Sequence, residues 1–194
     1  MSSPTDTGIE DLPTAFSSET CIRRGLCPVT LLRDQGPEAL ESHSLYFEQH
    51  GPKGKNETLN YKHKVVLIMG LNSSAFSWGN QVSYFGTGGS DGEFTVVAFD
   101  NRGVGNSGYP KGPYSTSGMA EDLICLLDHL GWTQKRELLL VGISLGGMIA
   151  QGELLLYICG LRNLMNGSRG SLENTKKNQG HGSGCYYTRR PCLE

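Results

Sequence analysis

Gly142-Ile143-Ser144-Leu145-Gly146 sets a hydroxyl between two glycines, directly after the apolar run Leu138–Val141 and before a helical run carrying Leu145, Met148 and Ile149. A strand that turns into a helix this tightly leaves no room for side chains on either flank. The serine between them is held in a strained conformation, its hydroxyl exposed at the carboxyl edge of a sheet. The helix N-terminus also turns backbone N–H groups towards any anion forming there. The chemistry of such an arrangement is nucleophilic attack by Ser144 on an acyl carbonyl. A buried glycine turn without chemistry satisfies the same formula.

Two further clusters bear on that chemistry. Met69-Gly70-Leu71 ends the apolar run Val65–Met69. There the Leu71 amide, with that of Leu145, can supply two donors to a tetrahedral oxyanion; a glycine after a strand otherwise marks only a turn. Asp100 to Gly108 contains G-x-G-x-x-G after a strand, the form of a dinucleotide loop. Tyr109-Pro110-Lys111-Gly112-Pro113 follows, where a helix would have to receive the pyrophosphate, and no acidic residue ends a later strand at the right distance. That reading is rejected. Gly51 to Asn56 fails as a phosphate loop in spacing and for want of Ser or Thr. No cofactor and no metal is expected.

The elements that must position these residues are visible as continuous apolar runs. Val65–Met69, Thr95–Phe99 and Leu138–Val141 read as strands buried on both faces, as a parallel sheet requires. Val29–Leu32 and Ser44–Glu48 read as two shorter strands. Ser117 is the expected cap of a helix with Glu121 and Asp122 near its start, Met119, Leu123, Leu126, Leu127 and Leu130 on its apolar face, and Gly131 at its end. Alternation of strand and helix predicts an α/β fold with right-handed crossovers.

In the order and spacing of all three clusters, the stretch from Ser44 to Gln151 resembles the α/β-hydrolase fold family. Met69-Gly70-Leu71 stands for its H-G-x motif, with Met69 replacing histidine; Asp100–Ser107 stands for its D-x-R-G-x-G-x-S turn; Gly142–Gly146 stands for its nucleophile elbow. The resemblance implies that Ser144 is the nucleophile, that the Leu71 and Leu145 amides form the oxyanion hole, and that the Asp100–Ser107 turn shapes the loop beside them. A serine at this position resembles the esterase, lipase, thioesterase and C–C hydrolase branches. The implied substrate is a small acyl or ester compound.

The chain has 194 residues, room for one domain, with 17 Lys+Arg against 19 Asp+Glu. That balance gives no long-range attraction to nucleic acid. The longest wholly apolar run, Leu154–Cys159, is far short of a membrane span. Six cysteines without a C-x-x-C pair, and no signal peptide, predict thiols and a cytoplasmic location. Residues 1–22 read as a disordered leader, 23–151 as a partial α/β-hydrolase domain, and 152–194 as a largely disordered tail unrelated to the family. Six of the 27 glycines fall within Gly160–Gly184. Gly152-Glu153-Leu154 is also what a read-through splice donor encodes in one frame.

Fifty residues follow Ser144. In the family the triad acid and histidine come after the nucleophile, with three more strands and a cap. Here the only later histidine is His181, and the only later acids are Glu153, Glu173 and Glu194. A true acid and base are therefore not expected in this chain, which reads as truncated. His43, His50, His63 and His129 are expected at surface or turn positions. The expectation is a serine hydrolase by ancestry. The alternatives are a non-catalytic relative that binds a small ligand or partner, and a mis-spliced chain that does not fold. The Leu138–Val141 strand, lacking its second neighbour, is expected to form an uncovered apolar edge unless Leu154–Leu164 folds over it.

Overall fold

A computed structural model describes residues 12–32, 40–52, 61–132, 138–158 and 185–188. Six strands form one mixed sheet: β1 (Cys21–Leu32), β2 (Leu40–His50), β3 (His63–Ile68), β4 (Phe94–Phe99), β5 (Leu138–Gly142) and β6 (Cys185–Thr188). Their order across the sheet is β5-β3-β4-β2-β1-β6. The predicted parallel trio is present, with β3 pairing in parallel with both β4 and β5. β2 pairs antiparallel with β4 and with β1, and β6 adds in parallel to β1. The two amino-terminal strands are much longer than Val29–Leu32 and Ser44–Glu48, because β1 and β2 form an extended antiparallel pair from Cys21 opposite His50 to Leu32 opposite Leu40.

Both faces of β3 and β4 are covered, whereas β5, also expected to be buried on both faces, is largely exposed because it pairs only with β3 among the described residues. Val66, Ile68, Val97 and Phe99 point to one side, against α2 (Thr116–Leu130) and Ile149 of α3 (Leu145–Ile158). Val65, Leu67, Val96 and Ala98 point to the other, against Trp78 of a short 3₁₀ turn (Ala75–Trp78) and Val82 of α1 (Gly79–Gly86). This two-sided burial is why β3 and β4 read as unbroken apolar runs rather than alternating ones.

Two local expectations need correcting. The cap of α2 is Ser115, whose hydroxyl accepts from the Gly118 amide at 3.1 Å, so the helix starts before Ser117. Glu121 and Asp122 consequently lie beyond the first turn, and Asp122 is buried in an ion pair instead. At the carboxyl end, α3 continues through Gln151 to Ile158, and Cys185–Thr188 of the expected tail forms β6. Residues 159–184 and 189–194 lie outside the described residues, as do residues 1–11 of the expected leader.

β5 stands at one edge, as expected, with Leu139 and Val141 exposed. Among the described residues no helix is long and apolar enough to cross a membrane.

Candidate active site around Ser144

β5 ends at Gly142 and α3 begins at Leu145, leaving Ser144 at the junction with φ of 53°. A non-glycine residue pays about 1–2 kcal/mol for that left-handed backbone. The flanking glycines explain how it is held there. A Cβ on Gly142 would strike the backbone of Gly146 and Gly147, and one on Gly146 would strike the Ile68 and Met69 carbonyls. The Ile143 amide donates to the Ile68 carbonyl at 3.2 Å, and the Gly146 amide closes back on the Ile143 carbonyl at 2.8 Å. The first turn of α3 is thus pressed against the end of β3, and Ser144 is left exposed at the carboxyl edge of the sheet.

The loop after β3 lies directly alongside. A Cβ on Gly70 would sit 3.0 Å from the Ile143 carbonyl oxygen and 3.3 Å from Ser144 Cβ. Leu71 is 70% exposed, and Asn72 takes φ of 60° to turn the chain away. Among the described residues neither the Leu71 amide nor the Leu145 amide donates a hydrogen bond. Asn101 Nδ2 donates to the Met69 carbonyl at 3.0 Å and fixes this loop from beneath. Asn101 is a positioning residue that the sequence did not single out. Its signal was only a side-chain amide at the variable place of the D-x-R turn.

The Asp100–Ser107 turn is a dense polar support. Asp100 accepts from the Ala75 amide at 2.8 Å and the Asn106 amide at 2.9 Å, tying the 71–75 loop to its own turn. Burial pushes the Asp100 carboxyl up, and these two amides only partly offset that effect. Ser107 donates to the Asp100 carbonyl at 2.6 Å and accepts from the Tyr46 amide at 2.8 Å. Arg102 is 1% exposed and forks onto both Asp122 oxygens at 2.6 Å, with Glu41 at 2.8 Å on its other nitrogen. It joins the turn to α2 and β2 at once.

Of the residues considered for acid and base, His181, Glu173 and Glu194 lie outside the described residues, as does the Glu153 side chain. Among the described residues, no side chain hydrogen-bonds to Ser144. The histidines that precede the elbow correct the sequence reading. His43 and His50, expected at the surface or in turns, are 2% and 0% exposed as side chains. They are buried because β2 is an inner strand that runs through both positions. His129 is exposed near the end of α2, and its imidazole is held below the ordinary range by partial burial and by the Arg23 charge.

Two groups of metal-capable side chains also come together: Cys21, Glu48 and His50 on β1 and β2, and His63, Asp91 and Glu93 at the surface. Glu93 of the second group pairs with Lys62 at 3.2 Å.

The comparisons agree with this geometry. Residues 65–184 match the model of the alpha/beta hydrolase family. Over 87 residues the chain is 36% identical to 3-oxoadipate enol-lactonase 2 of Acinetobacter baylyi, covering 45% of this chain and 30% of that protein. Over 61 residues it is 39% identical to the poly(3-hydroxyalkanoate) depolymerase of Ectopseudomonas oleovorans, covering 31% of this chain and 20% of that protein. A thermophilic esterase from Thermogutta terrifontis superposes with a TM-score of 0.50 at 28% identity, over 67% of this chain and 41% of that one. The chain therefore spans under a third of the length of these sequence relatives. A strained serine between two sterically obligatory glycines, on a parallel sheet of this order, and a family match across both make the conclusion plain: the chain belongs to the alpha/beta hydrolase family.

Proposed function

We propose that Ser144 is the nucleophile of a site that hydrolyses ester or related acyl substrates, with the Leu71 and Leu145 amides as its oxyanion donors. The observation that carries this reading is the φ of 53° at Ser144, a strain that no structural hydrogen bond to its side chain explains among the described residues. Attack of Oγ on a carbonyl carbon moves charge onto the carbonyl oxygen, and two undonated amides beside the serine suit that charge. An enol-lactonase, a polyalkanoate depolymerase and an esterase among the relatives support the substrate class. Hydrolysis also needs a base to take the serine proton and a group to orient it. On this reading the described residues supply the nucleophile and oxyanion half of the machinery.

A second reading has its own observation. Leu71, Ile143 and Met148, all beside Ser144 in the chain or on its neighbouring loop, are 70%, 53% and 52% exposed, an open apolar surface suited to holding a small apolar ligand without chemistry. A fluorophosphonate probe on the full chain separates the two. Labelling that disappears in Ser144→Ala supports the hydrolase. A cooperative thermal transition without labelling supports the binder, and no cooperative transition overturns both.

A further inference from the structure

β1 and β2 run antiparallel with Cys21 directly opposite His50. Opposed residues of an antiparallel pair share a face of the sheet, and Glu48, two residues before His50 on the same strand, shares it too. The fold therefore gathers a thiol, a carboxylate and an imidazole on one face, and their donor atoms lie within 4.8 Å of one another. The register shift between Cys21 and Arg23 bends β1 just there.

The placement of His50 is the unusual part. Its Nε2 is buried with no hydrogen-bond partner among the described residues, a position that ordinarily costs about 1–3 kcal/mol. It faces Glu48 Oε2 at 3.6 Å, too long for the charge-assisted bond of ~2.7–2.9 Å that a salt-linked pair would make. Tetrahedral Zn²⁺ with bonds of about 2.1 Å to N and O separates those ligands by roughly 3.4 Å. The outer partners are already in place. His50 Nδ1 meets Thr20 Oγ1 at 3.0 Å, Tyr46 donates to Glu48 Oε1 at 2.8 Å and Thr14 also bonds to the Glu48 carboxylate, while Nε2 and Oε2 face each other. Such outer hydrogen bonds orient metal ligands and fix the imidazole tautomer. Phe16 closes the site edge-on, its ring 5.4 Å from that of His50.

We propose that Cys21, Glu48 and His50 bind a divalent metal of borderline softness, Zn²⁺ by donor set, which fastens β1 and the segment before it to the sheet. A sulfur, nitrogen and oxygen set disfavours Ca²⁺ and Mg²⁺, which take oxygen alone. An ion draws the three donors inward by about 1 Å from their present spread, with water in the fourth position. Nothing in this site depends on Ser144.

The test uses the full chain, stripped with a chelator and titrated with Co²⁺ and Zn²⁺. The expected result is one equivalent bound, a thiolate-to-cobalt charge-transfer band that is absent in Cys21→Ser, and displacement of that band by Zn²⁺. Thr20→Val, which touches only the outer partner, weakens Zn²⁺ binding about 10–100-fold. Because Cys21→Ser can also disturb β1, His50→Gln is measured beside it, and its band is lost as well. No charge-transfer band in the wild-type chain overturns the proposal. A band that survives in both variants also overturns it, because the metal then sits on other thiols.

Discussion

The Asn101 side chain reaches back from the turn after β4 and donates to the Met69 carbonyl at 3.0 Å, one residue before the glycine that touches Ser144. The loop carrying one proposed oxyanion amide is therefore held by a side chain, not by its own backbone. Asn101→Ala leaves a buried acceptor without a donor and costs about 1–3 kcal/mol, read as a lower urea midpoint. Asn101→Asp sets an acceptor against the carbonyl and a second carboxylate beside Asp100, and the midpoint falls further.

Strain at Ser144 makes an unusual ranking of variants. Ser144→Ala removes the hydroxyl but keeps a Cβ in left-handed backbone, whereas Ser144→Gly releases it. The glycine variant is expected to be the more stable of the two by about 1 kcal/mol in equilibrium urea denaturation. Equal midpoints would show that the backbone at φ of 53° is not strained.

Arg102 bonds to both Asp122 and Glu41 in a site where all three are nearly dry. Arg102→Met removes the cation shared by two buried carboxylates, leaving Asp122 only the His43 imidazole at 3.3 Å, at a cost of about 3–5 kcal/mol by thermal or chemical unfolding. Adding Asp122→Leu to that variant recovers part of the loss. Failure of the second change to help would mean that Arg102 acts by packing alone.

Arg23 Nη2 donates to the Leu130 carbonyl at 3.0 Å and so occupies the negative end of α2, next to His129. A helix carboxyl terminus would otherwise favour a protonated histidine. Burial and the Arg23 charge win, and the His129 imidazole sits below 6.5. As pH falls through 6.5 the unfolded chain takes up this proton before the folded one, so the fold loses a little stability there and none above it. Arg23→Gln is expected to move the His129 titration back towards 6.5, followed by the ring-proton NMR shifts. An unmoved titration would assign the whole shift to burial.

The parts that continuous apolar runs announce were legible: β3, β4 and β5, the helix ending at Gly131, and the glycine-flanked serine. Burial on both faces writes itself into the composition of β3 and β4, while β5 carries the same kind of run with Leu139 and Val141 exposed. The end of β2 was harder because Gln49 and His50 are polar and lie past the expected strand Ser44–Glu48, and only their partners make them interior. Gln49 bonds to Arg23 and Thr95, and His50 to Thr20, residues 26 to 46 positions away. A sequence shows a polar residue but not the distant group that satisfies it. The cap of α2 was missed for a plainer reason, since Ser115 and Ser117 are equally good acceptors and tertiary contacts choose between them. The Met69–Leu71 loop was visible only as a glycine after a strand, while the Asn101 bond that fixes it spans 32 residues.

β5 pairs with β3 along its whole length, from Leu138 opposite Lys64 to Gly142 opposite Ile68, and among the described residues with no other strand. Its outer side is a row of backbone donors and acceptors beside exposed Leu139 and Val141. The Ser144 turn thus follows the last rung of the outermost described strand. Any strand supplied from outside, by a complementing fragment or by a neighbouring chain, would dock against the very element that aims Ser144. Complementation and aggregation are then competing fates of one surface, with the placement of Ser144 at stake in both.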